Sequence, residues 1–200
     1  MLKIKISILL FMLIVFAGNS TAQQKGLTSP WQFHSINNVG LLEGQAGSSF
    51  QLQTINGAQY KSWFGGVGLG IDYYRYRTIP LFFDIRKEFG KSSNKVFVYT
   101  DLGINFSWLT DNEKMTYMTD DHFGNGFFSD LGLGYKIAVG KNNGLLISLG
   151  YSYKKITETY KSAIYSNYYI YAAEQAVVPD QTEKINYSLN RLSIKIGWEF

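Results

Sequence analysis

The last ten residues of the sequence alternate strictly between apolar side chains and polar or small ones. Five apolar residues share one face of this segment: Leu192, Ile194, Ile196, Trp198 and Phe200. A period of two residues predicts a β-strand with one apolar side. Because similar alternation recurs along most of the chain, the sequence predicts an all-β fold.

Eight segments have this strand pattern, and turn residues rather than helix caps separate them. The predicted strands are residues 36–45, 49–56, 63–76, 79–89, 96–109, 126–140, 144–156 and 185–200. Glycines at positions 40, 44 and 47 interrupt the first two patterns, and they predict a bulge or a tight bend there.

The predicted connections differ in length in a regular way. Residues 90–95 and 141–144 form short polar turns, whereas residues 110–125 and 157–184 form much longer loops. In an up-and-down order the two short turns lie at one end of the sheet and the two long loops at the other. Short turns at one end and long loops at the other are typical of a barrel in an asymmetric membrane.

The two faces of the predicted strands indicate which solvent each face meets. On strand three Val67, Leu69 and Ile71 alternate with glycines and then with Asp72. In a soluble lipocalin-like barrel the apolar face would point inward, and the glycines would have no explanation. If the polar face lines a narrow lumen, the glycines make room for bulky or charged neighbours and the apolar face meets lipid. We therefore favour a closed antiparallel up-and-down transmembrane β-barrel of eight strands, with the soluble barrel as the alternative.

Aromatic residues gather at both margins of the apolar face. The chain has 15 Tyr, 14 Phe and 4 Trp beside 20 Gly. One predicted girdle contains Trp63, Phe89, Trp198 and Phe200, and the other contains Tyr73, Trp108, Phe127, Tyr151 and Tyr153. Amphipathic rings prefer the headgroup level of a bilayer, which favours the membrane interpretation.

The amino-terminal segment has the pattern of a secretory signal peptide. Lys3 and Lys5 precede the apolar run 6–16, and small residues at 20–22 predict cleavage after Ala22. We therefore expect residues 1–22 to be a signal peptide and residues 23–200 to be one barrel domain. A retained amino-terminal anchor is the alternative. The sequence has no cysteine, which excludes disulfides and a lipidated amino-terminal cysteine.

With a strand that ends on Phe200 after a secretory signal, the chain resembles the small eight-stranded outer-membrane β-barrels of the OmpA/OmpX-like kind. This resemblance implies a location in the outer membrane, contact with its lipid and recognition of the last strand by the barrel-assembly machinery. This sequence departs from the usual assembly signal in placing Gly197 directly beside Trp198 and not farther upstream.

Charged residues of both signs fall on the predicted inward face. They are Asp72, Asp84, Arg86, Glu88, Asp101, Asp130, Lys136, Lys154, Arg191, Lys195 and Glu199. The interior of eight strands is just wide enough for side chains to fill. We expect these charges to pair and to fill the lumen, because an unpaired charge in a narrow interior is costly. A narrow transport or ion pathway through the same charges is the alternative.

The sequence gives little support for catalysis, a metal or a cofactor. The chain has only two histidines. His34 precedes the first predicted strand, and His122 follows two aspartates in a predicted loop. Neither histidine has a recognisable nucleophile as a partner. We therefore predict that the protein is not an enzyme and has no cofactor or metal. The formal charge of +4 is too small and scattered to indicate nucleic acid binding.

The longest predicted loop is rich in tyrosine. Residues 157–184 contain Tyr160, Tyr165, Tyr168, Tyr169 and Tyr171, and the chain order places them outside the cell. We expect the last two strands to continue beyond the bilayer as a sheet whose tyrosines contact an extracellular ligand. A solvated or disordered loop is the alternative. The predicted function is a monomeric, non-enzymatic outer-membrane barrel with a structural or surface-interaction role, and its ligand is unknown.

Overall fold

The computed structural model describes residues 30–108, 119–140, 143–162 and 181–200. For residues 119–121, 161–162 and 181 it describes only the backbone. The chain divides into Met1–Pro30 and Trp31–Phe200, and the fold below is that of the second unit. The predicted signal peptide and Tyr165, Tyr168, Tyr169 and Tyr171 lie outside the described residues. No helix in the described ranges is long and apolar enough to cross a membrane.

The described chain folds into antiparallel β-strands. They are β1 (Trp31–Gly44), β2 (Gly47–Tyr60), β3 (Trp63–Asp72), β4 (Thr78–Phe89), β5 (Lys95–Ser107), β6 (Thr119–Gly124), β7 (Gly126–Val139), β8 (Asn143–Ser162) and β9 (Gln181–Glu199). Each barrel strand pairs with its neighbours, and β9 pairs with both β8 and β1. This last pairing closes an eight-stranded barrel, as the sequence predicts.

The short strand β6 is the extension of the barrel strand β7, so the nine strands make a barrel of eight. Only Asn125 separates β6 from β7, and β6 pairs with Thr157–Lys161 of β8 beyond the part of β8 that β7 covers. We call the end of the barrel at Trp31 and Phe200 the terminal end, and the opposite end, where β8 leads towards β9, the loop end.

Several predicted boundaries are corrected by the structure. The first strand begins at Trp31 instead of residue 36, so His34 lies within β1. The third strand ends at Asp72 instead of residue 76. The predicted loops at 110–125 and 157–184 contain strand residues, namely β6, the last part of β8 and the first part of β9. In each case backbone pairing, and not side-chain composition, decides where the strand ends.

The predicted bend in the first hairpin is a two-residue turn. Gly44 and Gly47 form the last pair of β1 and β2. Gly47 has a φ of 90°, a conformation that favours glycine because it has no Cβ. The first two strands therefore remain in register without a bulge.

The outward face of the barrel is apolar and the inward face is buried. Leu131 and Phe83 are 62% and 68% exposed, whereas their chain neighbours Asp130 and Asp84 are 0% exposed. A soluble barrel would have the reverse arrangement. The lumen is therefore the protected interior, and the apolar wall faces the membrane.

Aromatic side chains lie at both margins of this wall. The exposed aromatic side chains at the terminal end include Trp63, Trp198 and Phe200, and Trp108 is exposed at the loop end. Tyr73 lies partly buried against the ring of Phe50, with the ring centroids 4.5 Å apart. Trp31 and Tyr60 extend the row at the terminal end, with ring centroids 4.9 Å apart.

The lumen also contains a hydrophobic core that the sequence analysis did not identify. Its members are Ile36, Ile55, Phe64, Phe82, Phe97, Tyr99, Phe128 and Leu146. Inward glycines provide space for these rings. A Cβ added at Gly68 would overlap the ring of Phe82, and one added at Gly134 would overlap that of Phe97. The glycines and the aromatic residues therefore form one packing arrangement.

Replacing Gly68 by alanine tests this packing. We expect Gly68→Ala to lower the free energy of unfolding by about 1–3 kcal/mol, because the added methyl group overpacks the Phe82 ring. Gly65 faces outward and an added Cβ meets nothing within 4 Å, so Gly65→Ala is the matched control and should not destabilise. Urea unfolding in lipid vesicles measures both. Equal losses in the two variants would contradict the role assigned to Gly68.

Candidate functional site: a charged lumen and a protruding sheet

Charged side chains from most of the barrel strands meet in the lumen as three clusters of ion pairs. One lies at each end and one lies in the centre, beside the aromatic core. Alternation along each strand positions them, because every second side chain points inward. The stagger between neighbouring strands then decides which charges meet.

The loop-end cluster is centred on Asp72. Its carboxylate forms ion pairs with Arg191 and with Lys154, the latter at 3.1 Å, and all three side chains are fully buried. Arg191 also donates to Ser152 Oγ at 2.6 Å. Lys154 Nζ donates to the carbonyl oxygens of Tyr74 and Tyr76 at 2.9 and 3.0 Å. This cluster therefore fixes the short β3–β4 connection across the barrel mouth.

The central cluster combines three aspartates with two cations. Register places Asp84 opposite Asp101 and Asp101 opposite Asp130 on adjacent strands. Arg86 donates to both carboxylate oxygens of Asp84 at 2.8–2.9 Å. Lys195 lies 3.1 Å from Asp130 and 3.5 Å from Asp101. Each aspartate of this buried row thus has a cation nearby.

Aromatic rings enclose the two central cations. The Arg86 guanidinium lies 5.5–5.9 Å from the ring centroids of Phe64, Phe97 and Tyr99. Lys195 Nζ lies 4.1 Å from the Tyr99 centroid. Such cation–π contacts contribute most where water is excluded. The centre of the lumen is therefore filled by side chains.

The terminal-end cluster is a chain of ion pairs beneath an open vestibule. Lys136 bridges Glu88 at 3.1 Å and Glu199 at 2.6 Å. Lys95 pairs with Glu88 at 2.6 Å, and His34 Nδ1 lies 3.0 Å from Glu199. A cavity of about 500 Å³, lined in part by His34, Lys95 and Lys136, opens at this end. The vestibule stops where these ion pairs cross the lumen.

The structure places all the predicted lumen charges on the inward face and brings them together in these clusters. The sequence analysis did not include His34 or Lys95. His34 lies two residues before the buried Ile36, on the same face of β1. Extending the predicted strand by two residues would therefore have placed His34 in the lumen. Lys95 begins β5 and shares the parity of Phe97, and the same extension would have included it.

A sheet built from β6, β8 and β9 extends beyond the loop end of the barrel. The last pair between β1 and β9 is Gly44 with Arg191, whereas β8 and β9 remain paired up to Ser162 and Gln181. β6 pairs with the other side of β8. The predicted continuation of the last two strands is therefore present in the described residues.

Side chains on the inner face of this protruding sheet pack over the barrel mouth. The ring of Tyr76, from the β3–β4 connection, lies 5.2 Å from those of Phe123 and Tyr187. The Arg75 guanidinium lies 5.5 and 5.4 Å from the centroids of Tyr76 and Tyr187. The Tyr187 hydroxyl donates to Glu158 at 2.6 Å. Burial, together with this bond to a carboxylate, raises the pKa of Tyr187.

Of the predicted surface tyrosines, the structure places Tyr160 on the buried side of the protruding sheet. Its hydroxyl donates to Glu183 at 2.7 Å, and this bond to a carboxylate raises the pKa of the Tyr160 phenol. Tyr160 therefore ties β8 to β9, and it is not an exposed contact. This arrangement corrects its predicted role.

Asp120, Asp121 and His122, which the sequence predicts to lie in a loop, belong to β6. His122 is exposed on β6 and lies opposite Thr159 of β8. In the part of the chain that the structure describes, no group of three or more His, Cys, Asp or Glu side chains could hold a metal ion. The absence of enzymatic activity stays a prediction.

Comparison with solved structures finds the same architecture in small outer-membrane barrels. The outer membrane protein OprG from Pseudomonas aeruginosa matches with a TM-score of 0.54 at 9% identity, over 84% of this chain and 95% of that one. Neisserial surface protein A matches with a TM-score of 0.54 at 10% identity, over 86% of this chain and 96% of that one. A major outer membrane protein from Thermus thermophilus matches with a TM-score of 0.53 at 13% identity, over 85% of this chain and 98% of that one.

At such low sequence identities, the similarity to these structures establishes the fold of this chain alone. No protein-family model matches the chain, and no curated protein sequence matches it. The predicted fold class is confirmed, and the chain has the fold of the small eight-stranded outer-membrane β-barrels. The predicted location in the outer membrane agrees with this fold and with the apolar wall.

Removing the central arginine tests whether the lumen charges depend on one another. We expect Arg86→Met to lower the free energy of unfolding by about 3–5 kcal/mol, because Asp84 is left buried without its partner. The lipid-facing change Leu131→Val is the control and should cost about 1 kcal/mol or less. Urea unfolding in vesicles measures both. A loss for Arg86→Met no larger than that for Leu131→Val would contradict the paired network.

Proposed function

We propose that this protein is a closed, non-enzymatic outer-membrane barrel of the OmpA/OmpX-like kind that binds an external partner through its protruding sheet. In this proposal the terminal end lies in the periplasm and the sheet lies outside the cell. The lipid of the outer membrane surrounds the wall, and the barrel-assembly machinery recognises the strand that ends at Phe200. The observation that carries the proposal is the open edge of β9 above Arg191.

The backbone groups at that edge can be assigned from the register. Phe200 exchanges both of its backbone hydrogen bonds with Ser35 of β1, at 2.9 and 3.0 Å. The carbonyl oxygens of Ile194 and Asn190 lie beside Gly40 and Gly44 of the same strand. Even-numbered residues of β9 thus point their backbone groups away from β8. Above Arg191 these groups belong to Asn186 and Ser188 among others, and no described strand pairs with them.

Space is available beside this edge. A cavity of about 310 Å³ lies between β9 and the turns of the first two hairpins at the loop end, and Ala46, Tyr74, Arg75, Ser188 and Asn190 contribute to its lining. An unpaired edge of this kind binds an extended peptide by strand addition, in which main-chain hydrogen bonds supply affinity. The partner class we propose is therefore an extended polypeptide segment.

The sheet is held in place before a partner arrives. Tyr160 and Glu183 join β8 and β9, and Arg75, Tyr76 and Tyr187 pack the sheet onto the barrel mouth. Such preorganisation lowers the entropic cost of binding. The filled centre of the lumen supports a closed barrel over the transport alternative, because Arg86 and Lys195 occupy the space that a pathway would need.

Proline substitution at the open edge tests the proposal. We expect Asn186→Pro and Ser188→Pro each to leave the β8–β9 ladder intact, since the lost N–H groups point to the open edge. Both should abolish binding of extended peptides selected on the wild-type protein from a random peptide display library. Binding is measured with the protein in lipid nanodiscs.

The matched control for the proline variants changes the neighbouring strand without changing the edge. Lys155 lies on the outward face of β8 opposite Ser188, so Lys155→Ala should leave peptide binding unchanged. Selection of no peptide on the wild type would contradict strand addition at this edge. Wild-type binding by both proline variants would contradict it as well.

A further inference from the structure

The lipid-facing wall of the barrel is interrupted by a polar patch, which we define as Asn37 on β1 and Thr54 and Asn56 on β2. All three side chains are exposed on the outward face. Asn37 lies directly opposite Thr54 in the β1–β2 ladder, and Asn56 is two residues further along β2. The three residues therefore form a contiguous surface.

Apolar residues flank the patch on both neighbouring strands. Asn37 lies opposite Trp198 of β9, whereas Asn56 lies opposite Val67 of β3. Thr54 lies opposite Leu69 of β3. Towards the loop end, exposed apolar side chains follow the patch on β1 and β2, namely Val39 and Leu52. Towards the terminal end, the exposed side chain of Phe33 lies beyond the patch on β1. Apolar side chains thus lie on both sides of the patch along this strand, and the patch lies within the apolar band.

The polar groups of the patch have no partner in the described barrel. One side-chain hydrogen bond between these two strands runs inside the lumen, from Asn38 to Gln53, and another runs from Ser48 to Glu43 at the loop end. None of the hydrogen bonds among the described residues involves the side chain of Asn37, Thr54 or Asn56. Lipid tails cannot satisfy them either, because hydrocarbon has no donors or acceptors. An amide in this position requires another polar surface in the membrane.

We propose that the β1–β2 wall is a self-association surface, on which a second copy of this chain seats its own polar patch. A carboxamide carries two donors and an acceptor, so identical patches satisfy each other when a two-fold axis relates them. The partner's Asn37 and the partner's Asn56 then supply the missing hydrogen bonds. Hydrogen bonds of this kind hold transmembrane segments together where the hydrophobic effect cannot.

The shape of the wall fits this contact. A groove of about 360 Å³ runs beside the patch, and Val39, Leu52, Leu69 and Ile71 form its apolar lining together with Asn37 and Thr54. A protruding side chain of the second copy can enter this groove and bring the two patches together. The resulting dimer differs from the monomer that the sequence analysis predicts, and it leaves the lumen and the protruding sheet free.

Disulfide trapping tests the proposal directly, since the chain has no cysteine. Thr54→Cys places a thiol in the patch. Thr100→Cys is the matched control, because Thr100 faces outward from β5 on a different part of the wall. After oxidation in native membranes we expect a disulfide-linked dimer for Thr54→Cys and at least a tenfold weaker dimer band for Thr100→Cys. Equal cross-linking of the two variants would overturn the proposal.

Two further measurements separate specific association from chance contact. Adding Asn37→Leu and Asn56→Leu to Thr54→Cys should remove the dimer band while the barrel keeps its folded migration on unheated gels. Persistence of the dimer in this variant would overturn the role of the amides. Independently of that variant, Thr100→Cys protein labelled with donor or acceptor dyes should show energy transfer in dilute vesicles. Transfer no greater than random proximity predicts would exclude the dimer.

Discussion

The structure depends on one constraint, which is that charges enclosed by eight strands must be paired. The lumen is too narrow to keep bulk water around each ion, and an isolated buried charge is very costly. Asp72, Asp84 and Asp130 are 0% exposed, and each has a cation within ion-pair distance. Asp84 pairs with Arg86 of its own strand, whereas Asp72 pairs with Lys154 of β8 and Asp130 pairs with Lys195 of β9. The last two pairs join strands that are distant in the sequence, so they help to specify the closed arrangement as well as fill the lumen.

Packing in the lumen follows from the same constraint. Arg86 is held between Asp84 and three aromatic rings, and inward glycines provide the space for neighbouring rings. At the loop end, Lys154 pairs with Asp72 and also donates hydrogen bonds to two carbonyl oxygens of the β3–β4 connection. The lumen cluster therefore holds this connection in place. Tyr76 in that connection then supports the protruding sheet through Tyr187. The surface proposed to bind a partner is thus connected to the interior by a continuous series of contacts.

Strict alternation made most of the fold predictable from the sequence. Asp72 and Asp101 lie on the polar side of the alternation in their strands, and this position identified the face that lines the lumen. The lengths of the connections distinguished the terminal end of the barrel from the loop end. The pairing of charges was not predictable, because it depends on the stagger between strands. Lys136 and Glu199, for example, are 63 residues apart in the sequence and lie 2.6 Å apart in the structure.

Other features escaped prediction for local reasons. The start of β1 contains Gln32 and His34, whose polarity resembles a segment before a strand, and backbone pairing to β2 decides the outcome. The polar composition of Thr119–Gly124 resembles a loop, yet β8 supplies a partner strand. On β3 Phe64 shares the inward face with Gly68, and on β4 Phe82 shares it with Asp84. Alternation alone does not show that the rings and glycines interlock.

The central claim is that paired charges and aromatic rings close the lumen, and single-channel recording tests it most directly. The purified protein is reconstituted in planar lipid bilayers, and current is recorded for the wild type and for Arg86→Ala. The account predicts no steady current through the wild-type barrel. A steady, ion-selective current through the wild type that changes in Arg86→Ala would show that the lumen is a pathway and would contradict the account.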